Sequence, residues 1–548
     1  MQTATLHKDA AVAMRQELVV LMPADGPTGD VPRPGIMNRL LGALGRESLV
    51  FASLAADPAH LAGVLVTSQG DPGPIRVNGV EAGPLWSRKG RMLMDPALFG
   101  RWENILAARC DVQEVRLAPV VQGVQVIDGL GLPAGTRWRM QTLEGKDLGE
   151  MSASENRQTE PESILAGLAR GLSAMVARNG DVWSFYDLAD QCYRLSAWRW
   201  DTGIVLEALA AAQQLGGEAL LDTACVVGDR LLATRLNHAA HPDCPGGFPE
   251  WADLRYSEAH YGVSQWVAPF NAAFIAGGLM RLAEVSGRDS YRQAARDGLR
   301  LAVERGLTPA GGVSGYYFEN SRQWKYLGQI NDSGVLGRGL GLMAGEQWAS
   351  EAADNSARYV LDKASQPDGH IARAWWDPVQ AAPPGSPLFP EWKRRPGRVV
   401  PKIFLRGQAW VLMGLTGAMK LGASVGVIRG ARRLAAFILD AQQPDGSWLY
   451  SGRQPQLGAC VKTTAALALA LAEWSAASSD PLPLPAVHKA LKYLESCRSP
   501  EAVPKDLSAM PVDRSEEGCI IYFRDRPVVC AYAAALELLA RLAVGERP

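Results

Sequence analysis

The stretch Lys402-Ile403-Phe404-Leu405-Arg406-Gly407-Gln408-Ala409-Trp410-Val411-Leu412-Met413-Gly414-Leu415 decides how the chain is read. It opens on polar and special residues and runs into an apolar helix. Arg406 and Trp410 are four apart, so on a helix they share one face near its N-terminal end. A guanidinium beside an indole at a helix mouth can hold a carboxylate and stack a flat ring. The same pair also fits an arginine snorkelling past a core tryptophan. What bears on the choice is that the rest of the chain repeats the arrangement.

Working outward, apolar residues recur at three- and four-residue spacing in twelve segments, near 162–178, 200–214, 217–235, 268–286, 289–305, 333–346, 348–363, 405–421, 425–440, 461–476, 484–497 and 528–543. Many are rich in Ala, Leu and Gly on nearly all sides, as buried inner helices are. Tight joints such as Gln214-Leu215-Gly216-Gly217 alternate with long Gly-, Pro- and aromatic-rich segments at 236–266, 306–331, 364–404 and 441–460. The helices that follow the long segments start near Asp201, Asn271, Asp332, Arg406, Lys462 and Val528. A loose period of about 65 residues, two helices per unit and six units, predicts a closed toroid of six helical hairpins. The fold expected is mainly α, an (α/α)6 toroid over 156–548. Long loops then gather at one end, where function usually sits. Inner-helix N-termini point positive partial charge into the central funnel, which suits anionic ligands.

Residues 1–155 differ. Short apolar runs at Glu17–Met22, Leu49–Ala52, Gly63–Thr67, Val115–Leu117 and Val124–Ile127 read as strands, and 36–45 and 96–109 as helices. A small α/β N-terminal domain is expected, with no phosphate loop or dinucleotide fingerprint. Met151–Pro161 reads as the linker.

Composition narrows the function classes. The chain has 548 residues, 56 basic and 57 acidic, for a formal net charge of −1, so nothing recruits nucleic acid or an anionic membrane. No apolar run is long enough for a membrane span. The eight cysteines are scattered with no CxxC, and the N-terminus lacks a signal-peptide pattern, which together suggest a cytoplasmic protein with reduced thiols. Trp (16) outnumbers Tyr (13) and Phe (11), a balance that suits sugar stacking or an aromatic core.

Arg406-Gly407-Gln408-Ala409-Trp410, followed by an apolar helix and Gly414, resembles the RGQAW motif of the unsaturated glucuronyl hydrolases of glycoside hydrolase family 88 and their unsaturated rhamnogalacturonyl relatives. The resemblance spans about 200–548 and is concentrated in that pentapeptide. It implies a six-hairpin barrel and a uronic-acid-containing saccharide as substrate. It also implies an aspartate at an inner-helix start that protonates the C4–C5 double bond of a terminal unsaturated uronate while water adds at C5. Asp332, one hairpin before Arg406, is the candidate for that aspartate. The family's second aspartate falls at Asn271, which cannot ionise. Asp201, at another inner-helix start, could compensate. Arg406 would hold the carboxylate, Trp410 would stack the ring, and Gln408 of the same motif joins the substrate contacts. The family also carries a His in the loop before the Arg helix, for which His370 is the nearest candidate.

Other residues carry two readings each. Asp at a helix start is commonly an N-cap. Trp266, with His260 and Tyr261 in an aromatic and acidic loop, could line a saccharide cleft or pack a core. His238-Ala239-Ala240-His241-Pro242-Asp243-Cys244 has ligand-like types but no partner cluster, so no metal site is expected, and no cofactor. The Gln-Pro-Asp-Gly turns at 366–369 and 443–446, and the degraded copy Asn179–Trp183, read as structural connectors. A second reading of the whole is a toroid that has lost hydrolysis and binds carbohydrate or serves polysaccharide assembly. Asn271 and the extra N-terminal domain favour it.

Overall fold

A computed structural model describes twelve strands within residues 1–162. From 163 onward it describes the chain except 190–191, 195–198, 217, 237, 250–265, 308–311, 313–314, 319–322, 327–329, 373, 376–398, 401–402, 452–457, 499–502, 515–526 and 547–548. The chain divides into two compact units. One is Met1–Glu162 with the short pieces Ala177–Asn179 and Cys192–Arg194, and the other holds the rest.

In the larger unit, the described residues form twelve helices of eleven residues or more. They are α1 (Ile164–Ala174), α2 (Arg199–Ala211), α3 (Glu218–Ala233), α4 (Pro269–Ser286), α5 (Asp289–Gly306), α6 (Ile330–Leu340), α7 (Gln347–Ala364), α8 (Leu405–Lys420), α9 (Val425–Asp440), α10 (Val461–Ser478), α11 (Leu484–Ser496) and α12 (Ala531–Ala543). The twelve segments read from the sequence correspond to these helices. Each even-numbered helix packs on the even helices before and after it, and α12 packs on α2, so the ring closes. Odd helices lie outside: α1 over the seam of α12 and α2, α3 over α2 and α4, α7 over α6 and α8, α9 over α8 and α10, α11 over α10 and α12, and α5 on α4. The unit is therefore a six-hairpin α/α toroid. Composition explains the sorting. Val461–Ser475 of α10 is buried on almost every side, whereas α9 buries only Val427, Ala431, Leu434, Ala435 and Ile438, one outer-helix stripe.

Two devices hold the ring. The first is close helix approach. A Cβ at Gly337 of α6 would fall on the backbone of Gly414, and one at Gly417 of α8 on that of Gly337, so these positions admit only glycine. The second is a strap repeated around the rim. In the Gln-Pro-Asp-Gly turns, Gln366 N–H donates to His370 O and Gln443 N–H to Ser447 O, both at 2.9 Å, and the glycines take φ of 97° and 93°. Left-handed backbone suits glycine, and these two also press against the next outer helix, Gly369 on Arg433 O and Gly446 on Lys489 O. Gly180, in the degraded copy, presses on Val226 O of α3 in the same way. The turns thus staple one outer helix to the next, as structural connectors should.

Nearer the C-terminal ends of the inner helices, Arg338 of α6 reaches Glu207 of α2 at 2.8 Å and Glu473 of α10 at 2.7 Å. Three alternate inner helices meet in one ionic triad. Burial disfavours the Arg338 charge, but the two carboxylates hold the guanidinium well above the ordinary arginine range.

The smaller unit, in its described residues, is two antiparallel sheets, one of eight strands and one of four. Strands at Leu18–Pro23, Ser48–Leu54, Gly63–Ser68 and Val115–Gln122 match the sequence reading. The helix expected over 96–109 is instead the strand Trp102–Ala108, paired with Ser48–Leu54 on one side and Ile75–Val77 on the other. Pairing on both edges overrides the local helical spacing. Met151–Ala153, expected as linker, ends the strand Asp147–Ala153. Residues 36–45 and 124–127 lie outside the described residues.

Candidate active site

Four of the inner helices meet near their starts through their rings. Trp200 of α2 lies 5.5 Å from Phe270 of α4, 6.2 Å from Trp410 of α8 and 4.8 Å from Tyr532 of α12, centroid to centroid. Small antiparallel ribbons fix these starts. Phe185–Asp187 pairs with Val528–Cys530, which pairs with Val512–Asp513. Ser184 joins two helix starts at once. Its carbonyl accepts from Ala531 N–H at 2.9 Å, and its hydroxyl donates to Asp201 Oδ2 in a short contact. Asp201 Oδ1 accepts from Thr202 N–H at 2.7 Å, and Asp201 is 1% exposed. This carboxylate is a fixed, buried group at the positive end of α2.

Arg406 stands in the first turn of α8. Its Nη1 donates to Tyr532 Oη at 2.5 Å, and its Cζ lies 5.3, 5.8 and 5.9 Å from the ring centroids of Phe404, Tyr450 and Tyr532. Its Nε is buried with no hydrogen-bond partner. Among the described residues no carboxylate forms an ion pair with it. Burial works against its charge, but the neighbouring Tyr532 and Tyr450 oxygens, then Cys460 and Cys530, hold the guanidinium above the ordinary arginine range. It is a permanent cation surrounded by rings.

The other residues of the motif turn inward. Trp410, expected on the sugar-stacking face, is 3% exposed and sits edge-on to Phe274 at 5.1 Å and to Trp200. Gln408, expected among the substrate contacts, commits its carboxamide to backbone. Oε1 accepts from Ile371 N–H at 2.7 Å, and Nε2 donates to Ile371 O at 2.8 Å and Phe404 O at 3.2 Å. An amide satisfied on both ends has no group left for a ligand, so Gln408 is a pin between α8 and the turn after α7. His370 in that turn binds Asp368 Oδ1 through Nδ1 at 2.5 Å and packs on Phe437 of α9.

Asn271 is fully buried in the first turn of α4, where its N–H donates to Ala268 O. Asp332 lies in the first turn of α6, its side chain outside the described residues, as is that of Trp266, whose backbone pairs with Phe318. His260 and Tyr261, and the basic run Lys393–Arg398, lie outside the described residues.

Ser184, Tyr532 and Asp513 near these starts escaped the sequence reading, and Lys462 was read only as a helix start. Lys462 Nζ lies 3.8 Å from Asp513 Oδ2 and 5.8 Å from the Phe185 ring centroid. Cys460 Sγ is 3.7 Å from the same carboxylate oxygen. Burial, then Asp513, push its thiol up, so it stays protonated. Lys462 was signalled by its place at a periodic helix start, and Tyr532 follows four residues after another, Val528. Nothing in the sequence singles out Ser184 or Asp513.

The His238–Cys244 segment packs as a satellite core. His241 Nδ1 meets Tyr317 Oη at 3.2 Å, and Cys244 is buried among Leu236, Val267, Leu301 and Tyr317. Burial pushes its thiol up to about 12. Among the described residues no three His, Cys, Asp or Glu side chains group as metal ligands, and no helix is long and apolar enough to cross a membrane.

No family model matches the chain, and no curated protein sequence matches it. Solved structures do. An unsaturated glucuronyl hydrolase specific for heparin superposes with a TM-score of 0.51 at 17% identity, over 69% of this chain and 94% of that one. The unsaturated glucuronyl hydrolase responsible for glycosaminoglycan degradation in Bacillus sp. GL1 gives 0.50 at 15% identity, over 70% and 95%. A sugar epimerase from a ruminal bacterium gives 0.52 at 12% identity, over 70% and 100%. The class these likenesses define is the six-hairpin α/α toroid of the glycosidase type. Within it, the chain shares its fold with hydrolases and an epimerase alike.

Proposed function

We propose that the chain is a carbohydrate-active protein and acts on saccharides that end in an unsaturated uronic acid. The observation that carries this reading is Arg406. It is a permanent cation at an inner-helix start, ringed by aromatics, with no carboxylate partner among the described residues. Such a group lacks a counter-ion that a uronate carboxylate can supply. In this reading Arg406 fixes the carboxylate. Asp332, in the first turn of the neighbouring α6, donates the proton to C4 and activates the water that adds at C5. Asp201, oriented by Ser184 and Thr202, is the second carboxyl group in place of the one Asn271 lacks. Trp200 and Trp410 floor the funnel rather than cover the sugar. A cytoplasmic location belongs to the same proposal, on the scattered cysteines.

The test is loss of ultraviolet absorbance from lyase-generated unsaturated uronic disaccharides mixed with the protein, beside Asp332→Asn. Loss in the wild type and none in the variant is expected. No loss from any disaccharide, with calorimetric binding retained, would move the assignment to the second reading, a saccharide-binding toroid. That reading is favoured by Asn271 and by the burial of Asp201.

A further inference from the structure

Buried arginines elsewhere in this toroid meet carboxylates. Arg338 is held by Glu207 and Glu473, Arg541 by Glu537, Glu495 and Glu546, and Arg498 by Glu537. Arg406 departs from that pattern. The acceptor given to its guanidinium is the phenol of Tyr532. The carboxylates described near the same helix starts have other donors: Asp201 takes Ser184 and Thr202, and Asp513 takes Lys462. Cys460 stays a neutral thiol.

Tyr532 is built to hold its position. It is 2% exposed, its ring packs on Trp200 at 4.8 Å, and the N–H of the preceding Ala531 is tied to Ser184 O. A guanidinium only donates hydrogen bonds, so the phenol oxygen accepts from Nη1 and adds no negative charge. Phe404 and Tyr450, themselves in contact at 5.1 Å, both lie within 6 Å of the guanidinium carbon. The orientation of the arginine is fixed, and among the described residues no carboxylate cancels its charge. A carboxylate in the place of the phenol would fix it equally well and neutralise it.

We infer that Tyr532 is a positioning residue that sets the selectivity of the Arg406 site for anionic over neutral sugars. This inference rests on the reading of Arg406 as the holder of a uronate carboxylate. Tyr532 acts through Arg406, and its effect falls on the charged ligand alone. Loss of one hydrogen bond to a charged group lowers affinity by about tenfold.

The experiment titrates the full-length protein calorimetrically with D-glucuronate and with its uncharged methyl ester, for wild type, Tyr532→Phe and Tyr532→Glu. Thermal melts check that each variant is folded. Wild type is expected to prefer the uronate. Tyr532→Phe should lose about tenfold of that preference with ester affinity unchanged. Tyr532→Glu should abolish it by supplying the internal counter-ion. With the unsaturated disaccharide, Tyr532→Phe should raise KM and leave kcat near wild type, a split that a general loosening of the fold would not give. Retention of the full preference by a folded Tyr532→Phe or Tyr532→Glu overturns the inference and leaves the reading of Arg406 standing. Equal or undetectable binding of the two ligands by wild type overturns both.

Discussion

At the scale of single residues, the motif around Arg406 divides into one outward function and two inward ones. Arg406 carries charge that no carboxylate among the described residues neutralises, whereas Trp410 and Gln408 hold the helix that presents it. This division gives opposite expectations for neighbouring substitutions. Arg406→Gln should weaken uronate binding by about a hundredfold, since a charge-assisted pair contributes roughly 1.5–3 kcal/mol. Its melting temperature should stay level or rise, because a cation without a counter-ion is costly to bury. Gln408→Leu should do the reverse at the level of the fold, losing roughly 2–4 kcal/mol through the stranded N–H and C=O of Ile371. Calorimetry and thermal melts on the two variants check the contrast. The RGQAW stretch stands out in the sequence as a candidate site, but the sequence could not say which of its side chains turn inward. That depends on Ile371 and Phe274, which come from other hairpins.

At the scale of elements, the toroid depends on seams where backbone meets backbone. Gly337→Ala would set a methyl group on Gly414 and part α6 from α8. A loss of about 1–3 kcal/mol is expected, together with most of any turnover, because these two helices carry Asp332 and Arg406. Urea melts and the absorbance assay read the two effects. The triad of Arg338, Glu207 and Glu473 makes a second expectation. Arg338→Met alone strands two carboxylates and should cost about 3–5 kcal/mol, while the triple change to Met, Leu and Leu should recover most of it. The helices were readable because apolar spacing is a local property, plain in Val461–Ala472. The triad was not, because its members lie 131 and 135 residues apart. The strand Trp102–Ala108 was misread for a related reason, since partners on both edges decide it rather than its own spacing.

At the scale of the molecule, charge and burial predict how the larger unit responds to alkali. The Cys244 thiol is pushed from 9.0 to about 12 by burial in the satellite core. Between those values the unfolded chain has released this proton and the folded chain retains it, so stability falls as pH rises through the window. The slope is at most about 1.4 kcal/mol per pH unit. Cys244→Ala should make this alkaline limb shallower in denaturant melts at pH 9 to 11, the buried Cys460 and half-buried Cys497 thiols keeping a share of it.

The contact of α12 with α2 has one further consequence. In an open stack of hairpins the last helix is a terminus that can fray or be trimmed at small cost. Here it is a keystone. Tyr532 lies buried against Trp200 of the first inner helix, and Glu537 holds Arg498 and Arg541, so a chain that stops at Val529 lacks one of six inner helices rather than a tail. Synthesis therefore leaves the ring unsealed until α12 has been made. A premature stop there should be as damaging to soluble yield as one in the middle of the chain.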